Sequence, residues 1–166
     1  MLFRSKTHNE FNGGQVGAHG EVAWGPFIGD LSGKVGIGSV FQEVNLRGVT
    51  ERTGSDGNTD QGPGGLLVLD SNRGKRSRHE VAWISEIDAR LGYRLSPCWI
   101  AWLGYTFLFW DNVARPGDQT GLALNPGQIP SNPAYGNHLG PIQAAPIFGT
   151  SDYWAQGLSG GVEFRY

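Results

Sequence analysis

Long runs of alternating apolar and polar residues restrict this sequence to β folds. In the last run, at 151–166, Leu158 and Val162 share one parity, while Glu163 and Arg165 share the other. Successive side chains of a strand point to opposite faces, so each run predicts a strand with one apolar and one polar face. The 27 glycines and the many aromatic residues (8 Phe, 6 Trp and 5 Tyr) also favour strands over helices.

Five strands are predicted, joined in turn by a short turn, a long loop, a short turn and a long loop. Both long loops therefore fall at one end of an antiparallel up-and-down sheet, which is typical of transmembrane β-barrels. The second strand is predicted to change parity near Phe41 through a bulge. The predicted strands are 7–24, 27–50, 79–95, 98–113 and 152–166, and the predicted long outer loops are 51–78 and 114–151.

Strand length and the positions of the aromatic residues favour the same fold. Each predicted strand exceeds the roughly 9 to 11 residues that cross a bilayer at a tilt, whereas soluble strands usually have about five or six. Two belts of aromatic residues separated by smaller aliphatic residues are typical of a lipid-facing band. The predicted belts are Trp24, Phe27, Tyr93, Trp99 and Tyr166 at the turn end, and Phe41, Trp83, Phe109 and Trp154 at the loop end.

Charged residues on the polar parity are predicted to face a water-filled lumen. An Arg or Lys facing lipid at the midplane costs roughly 2 to 4 kcal/mol, so Lys34, Glu86, Asp88 and Arg90 are assigned to the lumen face. They would form either a ladder that sets ion selectivity or paired charges that fill the interior, and we favour the second. A soluble sandwich has the same alternation with its apolar face inside, so the period alone does not separate the two folds.

The end of the chain carries a recognisable spacing of residues. Ser159, Gly161, Phe164 and Tyr166 follow the pattern polar-x-Gly-x-x-hydrophobic-x-aromatic. This spacing resembles the assembly signal in the last strand of outer-membrane β-barrels, and the resemblance implies the barrel-assembly machinery as a partner. The alternative is an ordinary terminal strand of a soluble sandwich.

Composition and motifs argue against several other functions. The formal net charge of −2 shows no excess of the positive charge that is typical of nucleic-acid-binding domains. Cys98 is the only cysteine, which excludes an internal disulfide. The stretch 29–35 lacks the spacing and the hydroxyl of a phosphate-binding loop, and the acidic spacing at 56–60 lacks the later Gly and Glu of a calcium loop. We therefore predict no cofactor, no metal and no enzymatic activity.

Several segments resemble one known family. The most specific runs from Gly104-Tyr105-Thr106-Phe107 to Gly117-Asp118-Gln119, and others lie at 11–17, 33–42, 64–67, 125–130 and 154–158. Together they are similar to the planctomycete family of β-barrel porins that is the seventh so numbered. The resemblance implies an outer-membrane β-barrel, porin-like or structural, in contact with outer-membrane lipid. It supplies no catalytic residues.

Members of that family look longer, and five or six strands are too few for the smallest bacterial barrels, which have eight. The sequence is therefore interpreted as the C-terminal portion of a barrel completed by missing N-terminal strands or by other chains. No secretory signal is recognised at the start. The alternative function is a secreted soluble β-sandwich binding module that uses its long loops. That alternative predicts a face buried against a second sheet, carrying Trp99, Leu103, Tyr105 and Phe107.

Overall fold

The protein is an antiparallel β-sheet, which confirms the predicted fold class. The computed structural model describes residues 2–53, 57–65, 67–69, 72–120, 125–128, 132–134, 136–137 and 148–165. The strands are β1 (Leu2–Trp24), β2 (Phe27–Thr53), β3 (Thr59–Pro63), β4 (Gly74–Arg94), β5 (Trp99–Val113) and β6 (Ser151–Phe164), and 3-10 turns occur at Gly117–Gln119 and Pro126–Gln128. The sheet order is β1-β2-β4-β5-β6, and β3 pairs with β2.

Several strands extend further toward the long connections than the sequence predicts. β1 begins at Leu2 rather than at 7, β2 ends at Thr53 rather than at 50, and β4 begins at Gly74 rather than at 79. The segment 51–78, predicted to be a loop, also contains β3, which pairs antiparallel with the end of β2. Glycine, aspartate and proline make this segment look like a loop, but pairing with a neighbouring strand overrides such local preferences.

The predicted bulge near Phe41 is wrong, because β2 keeps one parity along its whole length. Val40, Gln42 and Val44 are all buried, and the residues between them are more exposed. What changes near Phe41 is the chemistry of the exposed parity, which is apolar before it and polar after it. The exposed parity carries Leu31, Val35 and Ile37 on one side of Phe41, and Glu43, Asn45 and Arg47 on the other side.

Contacts divide the chain into two compact units. The first unit contains Met1–Glu10, Phe41–Glu80 and Val113–Ser151. The second unit contains Phe11–Val40, Val81–Asn112 and Asp152–Tyr166.

The first unit buries a small apolar core. Val44 and Leu46 of β2 pack against Val68 and Ala114, which lie outside the strands, and Leu46 is only 2% exposed. The side chain of Phe148 packs against the same cluster. This unit therefore has the polarity of a water-soluble sheet, with apolar residues inside and charged residues outside.

Polar contacts hold the connecting segments of the first unit in place. Arg78 Nε donates a hydrogen bond to Gln42 Oε1 at 2.8 Å, and the same guanidinium lies 4.3 Å from the centre of the Phe148 ring. Gln119 Nε2 donates to the backbone oxygens of Arg115 and Gly149 at 3.0 and 2.6 Å. These contacts join the two ends of the second long connection to each other and to β4.

The second unit has the opposite polarity. Leu103 is 60% exposed and Leu158 is 77% exposed, and Trp99 and Tyr105 are exposed too. The face that the soluble-sandwich alternative requires to be buried is therefore uncovered at these residues. The exposed large hydrophobic residues of this unit are Val16, Val22, Trp24, Phe27, Leu31, Val35, Ile37, Val81, Trp83, Ile87, Leu91, Tyr93, Trp99, Leu103, Tyr105, Tyr153, Trp154, Leu158, Val162 and Phe164, together with Leu95 in a turn.

Rings on this apolar face meet across neighbouring strands. The Phe27 and Tyr93 rings lie 5.1 Å apart, and Trp83 and Phe109 lie 4.8 Å apart. Cross-strand aromatic pairs stabilise a sheet beyond the area that they bury. These four residues, all predicted from sequence to belong to the aromatic belts, are therefore arranged as ring pairs.

Candidate functional site: the polar-face network

The polar face of the second unit carries two groups of paired charged, hydroxyl and indole side chains. In the antiparallel register of β4 and β5, Asp88 stands opposite Thr106, and Arg90 stands opposite Gly104. Alternation along each strand places these residues on the face opposite to the exposed hydrophobic residues. The polar-face network consists of Ser32 and Lys34 on β2, Glu86, Asp88 and Arg90 on β4, Trp102 and Thr106 on β5, Glu163 on β6, and Arg165 just after it.

Asp88 is held by hydroxyl groups from both neighbouring strands. Thr106 Oγ1 donates to Asp88 Oδ1 at 2.7 Å, and Ser32 Oγ donates to Asp88 Oδ2 at 3.4 Å. Lys34 Nζ lies 3.3 Å from Glu86 Oε1. Three of the four charged residues predicted for the lumen thus take part in contacts that join β2, β4 and β5.

Arg90 connects β4 to β6 across the intervening strand. Its Nη2 donates to Glu163 Oε2 at 3.0 Å, and its guanidinium lies 4.3 Å from the centre of the Trp102 ring. Arg165 Nε donates to the other carboxylate oxygen, Glu163 Oε1, at 2.7 Å. A cation over an indole and a charge-assisted hydrogen bond reinforce each other here.

Small residues make room for this arrangement. Gly92 stands opposite Trp102 in the register of β4 and β5. A Cβ added to Gly161 would lie 3.0 Å from Trp102 Cζ2, and one added to Gly104 would lie 2.7 Å from Ser159 Oγ. Ser159 and Gly161 therefore have packing roles in the folded sheet, separate from the assembly signal predicted for them.

Of the other two residues of the predicted assembly signal, the structure describes one. Phe164 is exposed on the apolar face, where its ring lies 5.0 Å from that of Trp99. Tyr166 lies outside the described residues. Recognition of this pattern by assembly machinery stays a prediction.

The partners of Arg90 are the part of the site that sequence reasoning missed. Glu163 and Arg165 share a parity on the last strand, which is a visible signal that they lie on one face. Their contact with Arg90 depends on the order β4-β5-β6 and on the register of each pair. Neither the order nor the register follows from alternation within one strand.

The geometry of the network is that of paired and partly hydrated charges. Arg90 and Glu163 keep 39% and 35% of their side-chain surface exposed, and Lys34 and Glu86 keep 47% and 35%. Each of the four charged residues predicted for the lumen has a partner of opposite charge or a hydroxyl donor. Such an arrangement neutralises charge locally, and the place of these paired charges in a barrel interior stays a prediction.

The described residues contain no group of three or more His, Cys, Asp or Glu side chains arranged to hold a metal ion. Asp56 of the acidic spacing lies outside the described residues, and the stretch 29–35 is an extended part of β2. Cys98 is exposed. In the described part of the chain, no helix has the length and hydropathy needed to cross a bilayer.

We expect Arg90→Met to destabilise the folded sheet by about 1 to 2 kcal/mol. Methionine keeps much of the apolar stem but loses the hydrogen bond to Glu163 and the contact with the Trp102 ring, and the partial exposure of the pair limits the loss. Urea unfolding measures the effect. The matched control is Arg94→Met on the same parity of the same strand, because no side-chain partner of Arg94 is seen in the described structure. Equal losses in the two variants would contradict a specific role for Arg90.

Comparison with known proteins identifies a family. A family model described as "Putative beta barrel porin-7" matches residues 2–166. No curated protein and no solved structure matches the chain.

Proposed function

The chain belongs to the β-barrel porin family numbered seventh, and we propose that its sheet forms part of the wall of a transmembrane β-barrel in an outer membrane. The apolar face of the second unit meets lipid, and the polar-face network meets the aqueous interior. The observation that carries this proposal is the reversed polarity of the second unit, in which Leu103 and Leu158 are exposed while charged side chains pair on the opposite face.

Solvation energy supports a lipid environment for that face. Leaving one large apolar side chain in water instead of burying it costs about 1.5 to 3 kcal/mol, and this face exposes many of them together. Contact with hydrocarbon removes that cost. Aromatic rings favour the edges of the lipid band. This face carries the exposed rings of Trp24 and Trp154 and two ring pairs, Phe27 with Tyr93 and Trp99 with Phe164.

The sheet edges support a larger assembly. Among the described residues, β1 pairs only with β2 and β6 pairs only with β5. A strand edge in hydrocarbon leaves backbone N–H and C=O groups without partners, so membrane sheets close into barrels. We therefore propose that further strands, from an adjoining segment of the protein or from other chains, pair with these two edges, and that the barrel-assembly machinery inserts the product.

The paired charges favour a structural role for this section of wall over a selective ion pathway. Lys34 and Glu86 neutralise each other across the neighbouring strands β2 and β4, and Arg90 and Glu163 do so across β5, from β4 to β6. A ladder that attracts one sign of ion requires charges that are not already compensated. We assign no catalytic reaction to the protein.

Cell fractionation tests the proposal. We expect the full chain to sediment with outer membranes, to resist washing with alkali and high salt, and to require detergent for extraction. Release into buffer without detergent would contradict the proposal and would favour the soluble binding module. Purified protein in planar bilayers then tests the structural role, because a large, ion-selective conductance would contradict the paired-charge interpretation.

A further inference from the structure

The charged outer surface of the first unit contains a small pocket with an unusual composition. Arg4 and Lys6 of β1 and Asn45 and Arg47 of β2 line a cavity of about 200 Å³. The two strands are neighbours in the sheet, and the three cations are exposed. Arg47 Nε donates to Asn45 Oδ1 at 3.3 Å, so the amide helps to orient one guanidinium.

No carboxylate neutralises this pocket in the part of the chain that the structure describes. Two other cations of the first unit have acidic partners, with Lys75 Nζ 2.8 Å from Glu43 and Arg78 Nη1 3.2 Å from Glu80. Three like charges lining one cavity repel each other, and a bound anion relieves that repulsion. Arginine and lysine together, with an amide donor, suit the oxygens of a phosphate group.

The aromatic residues of the same unit provide a reference for the height of the pocket above the membrane interface. The rings of Phe41 and His79 pair at 5.2 Å, and aromatic rings favour the membrane interface. Arg47 follows Phe41 by six positions on β2, or about 20 Å along the strand and about 15 Å in height for a tilted strand. The polar zone of one leaflet is only about 5 to 8 Å thick, so this height suits a large headgroup better than a simple phospholipid.

We propose that the pocket lined by Arg4, Lys6, Asn45 and Arg47 binds a phosphate group in the headgroup of an outer-leaflet glycolipid. The inference rests on the proposed function, because it requires the sheet to stand in a membrane with this end outward. Phosphate free in solution has the same chemistry, so the two sources are separated by experiment.

The test uses the full chain in detergent and measures binding of lipopolysaccharide with a phosphorylated core, the same lipid after enzymatic dephosphorylation, and inorganic phosphate. The variant carries Arg4→Gln, Lys6→Gln and Arg47→Gln together. The control is Lys75→Gln, which removes an exposed cation that already has an acidic partner. We expect the triple variant to bind the phosphorylated lipid at least about tenfold more weakly, and the control to remain within about twofold of the unmodified chain.

Three results would overturn the proposal. They are equal binding by the triple variant and the unmodified chain, equal binding of phosphorylated and dephosphorylated lipid, and displacement of the lipid by an equal concentration of inorganic phosphate. Unfolding in urea confirms that the variant is folded, which is expected because all three side chains are exposed. Loss of lipid binding leaves the fractionation result unchanged, whereas a chain that is soluble without detergent removes the membrane assignment itself.

Discussion

Leu158→Arg is expected to destabilise the protein in lipid vesicles by about 2 to 4 kcal/mol, the cost of an arginine on the lipid face near the bilayer midplane. Leu158 is 77% exposed and lies between Trp154 and Phe164 on the apolar face of β6. Urea unfolding of vesicle-inserted protein measures the change. In a water-exposed sheet the same substitution changes stability by less than about 0.5 kcal/mol.

The adjacent residue provides the control. Gly157 belongs to the opposite parity, and a Cβ added there meets no atom within 4 Å. Gly157→Arg therefore places the same charge one residue away on the polar face, where water is available, and we expect a loss of less than about 1 kcal/mol. A similar effect at 157 and 158 would contradict the assignment of lipid to one face and water to the other.

Gly161→Val is expected to destabilise the sheet by about 1 to 3 kcal/mol through overpacking. A Cβ at this position would lie 3.0 to 3.2 Å from three atoms of the Trp102 indole, and valine adds two further methyl groups. The indole cannot move freely, because the Arg90 guanidinium lies over its ring and binds Glu163. Urea unfolding after refolding in detergent measures the change.

Two comparisons separate this packing effect from other effects of the substitution. Gly157→Val on the same parity of β6 has open space around it and is expected to be nearly neutral. Trp102→Ala in the Gly161→Val background is expected to recover part of the lost stability. If the Gly161→Val variant refolds normally in detergent but fails to assemble in cells, the requirement for glycine at this position comes from recognition by the assembly machinery rather than from packing.

The sequence predicted the existence of the long strands better than the residues at which they begin and end. Alternation identified the five long strands because side chains must point to opposite faces whatever the surroundings. It placed a bulge near Phe41 because the apolar parity changes there, although the backbone of β2 does not slip. The hydrophobic parity differs after Phe41 because Val44 and Leu46 pack into the buried core of the first unit. β3 was missed because its five residues are stabilised by pairing with β2 rather than by their own composition.

The candidate site was also predicted only in part, because parity identifies a face but not the partners of a side chain. Parity alone assigned Lys34, Glu86, Asp88 and Arg90 to one face. The structure gives each of them a hydroxyl or charged partner, in one group around Asp88 and Glu86 and another around Arg90. Their exposure to a lumen stays a prediction. The contact of Arg90 with Glu163 was not predictable, since it crosses β5 and depends on the register of two strand pairs. The source lineage and the missing strands also stay predictions.

A spin-label scan of β6 tests most directly which face meets lipid. Single cysteines are introduced from 156 to 164 in a Cys98→Ser background, labelled with a nitroxide, and compared in vesicles for collision with oxygen and with a water-soluble nickel chelate. We predict a period of two, with oxygen favoured at even positions such as Leu158 and Val162 and the chelate favoured at odd positions such as Gly157 and Ser159. Chelate access at Leu158 and Val162, or no alternation, would contradict the account.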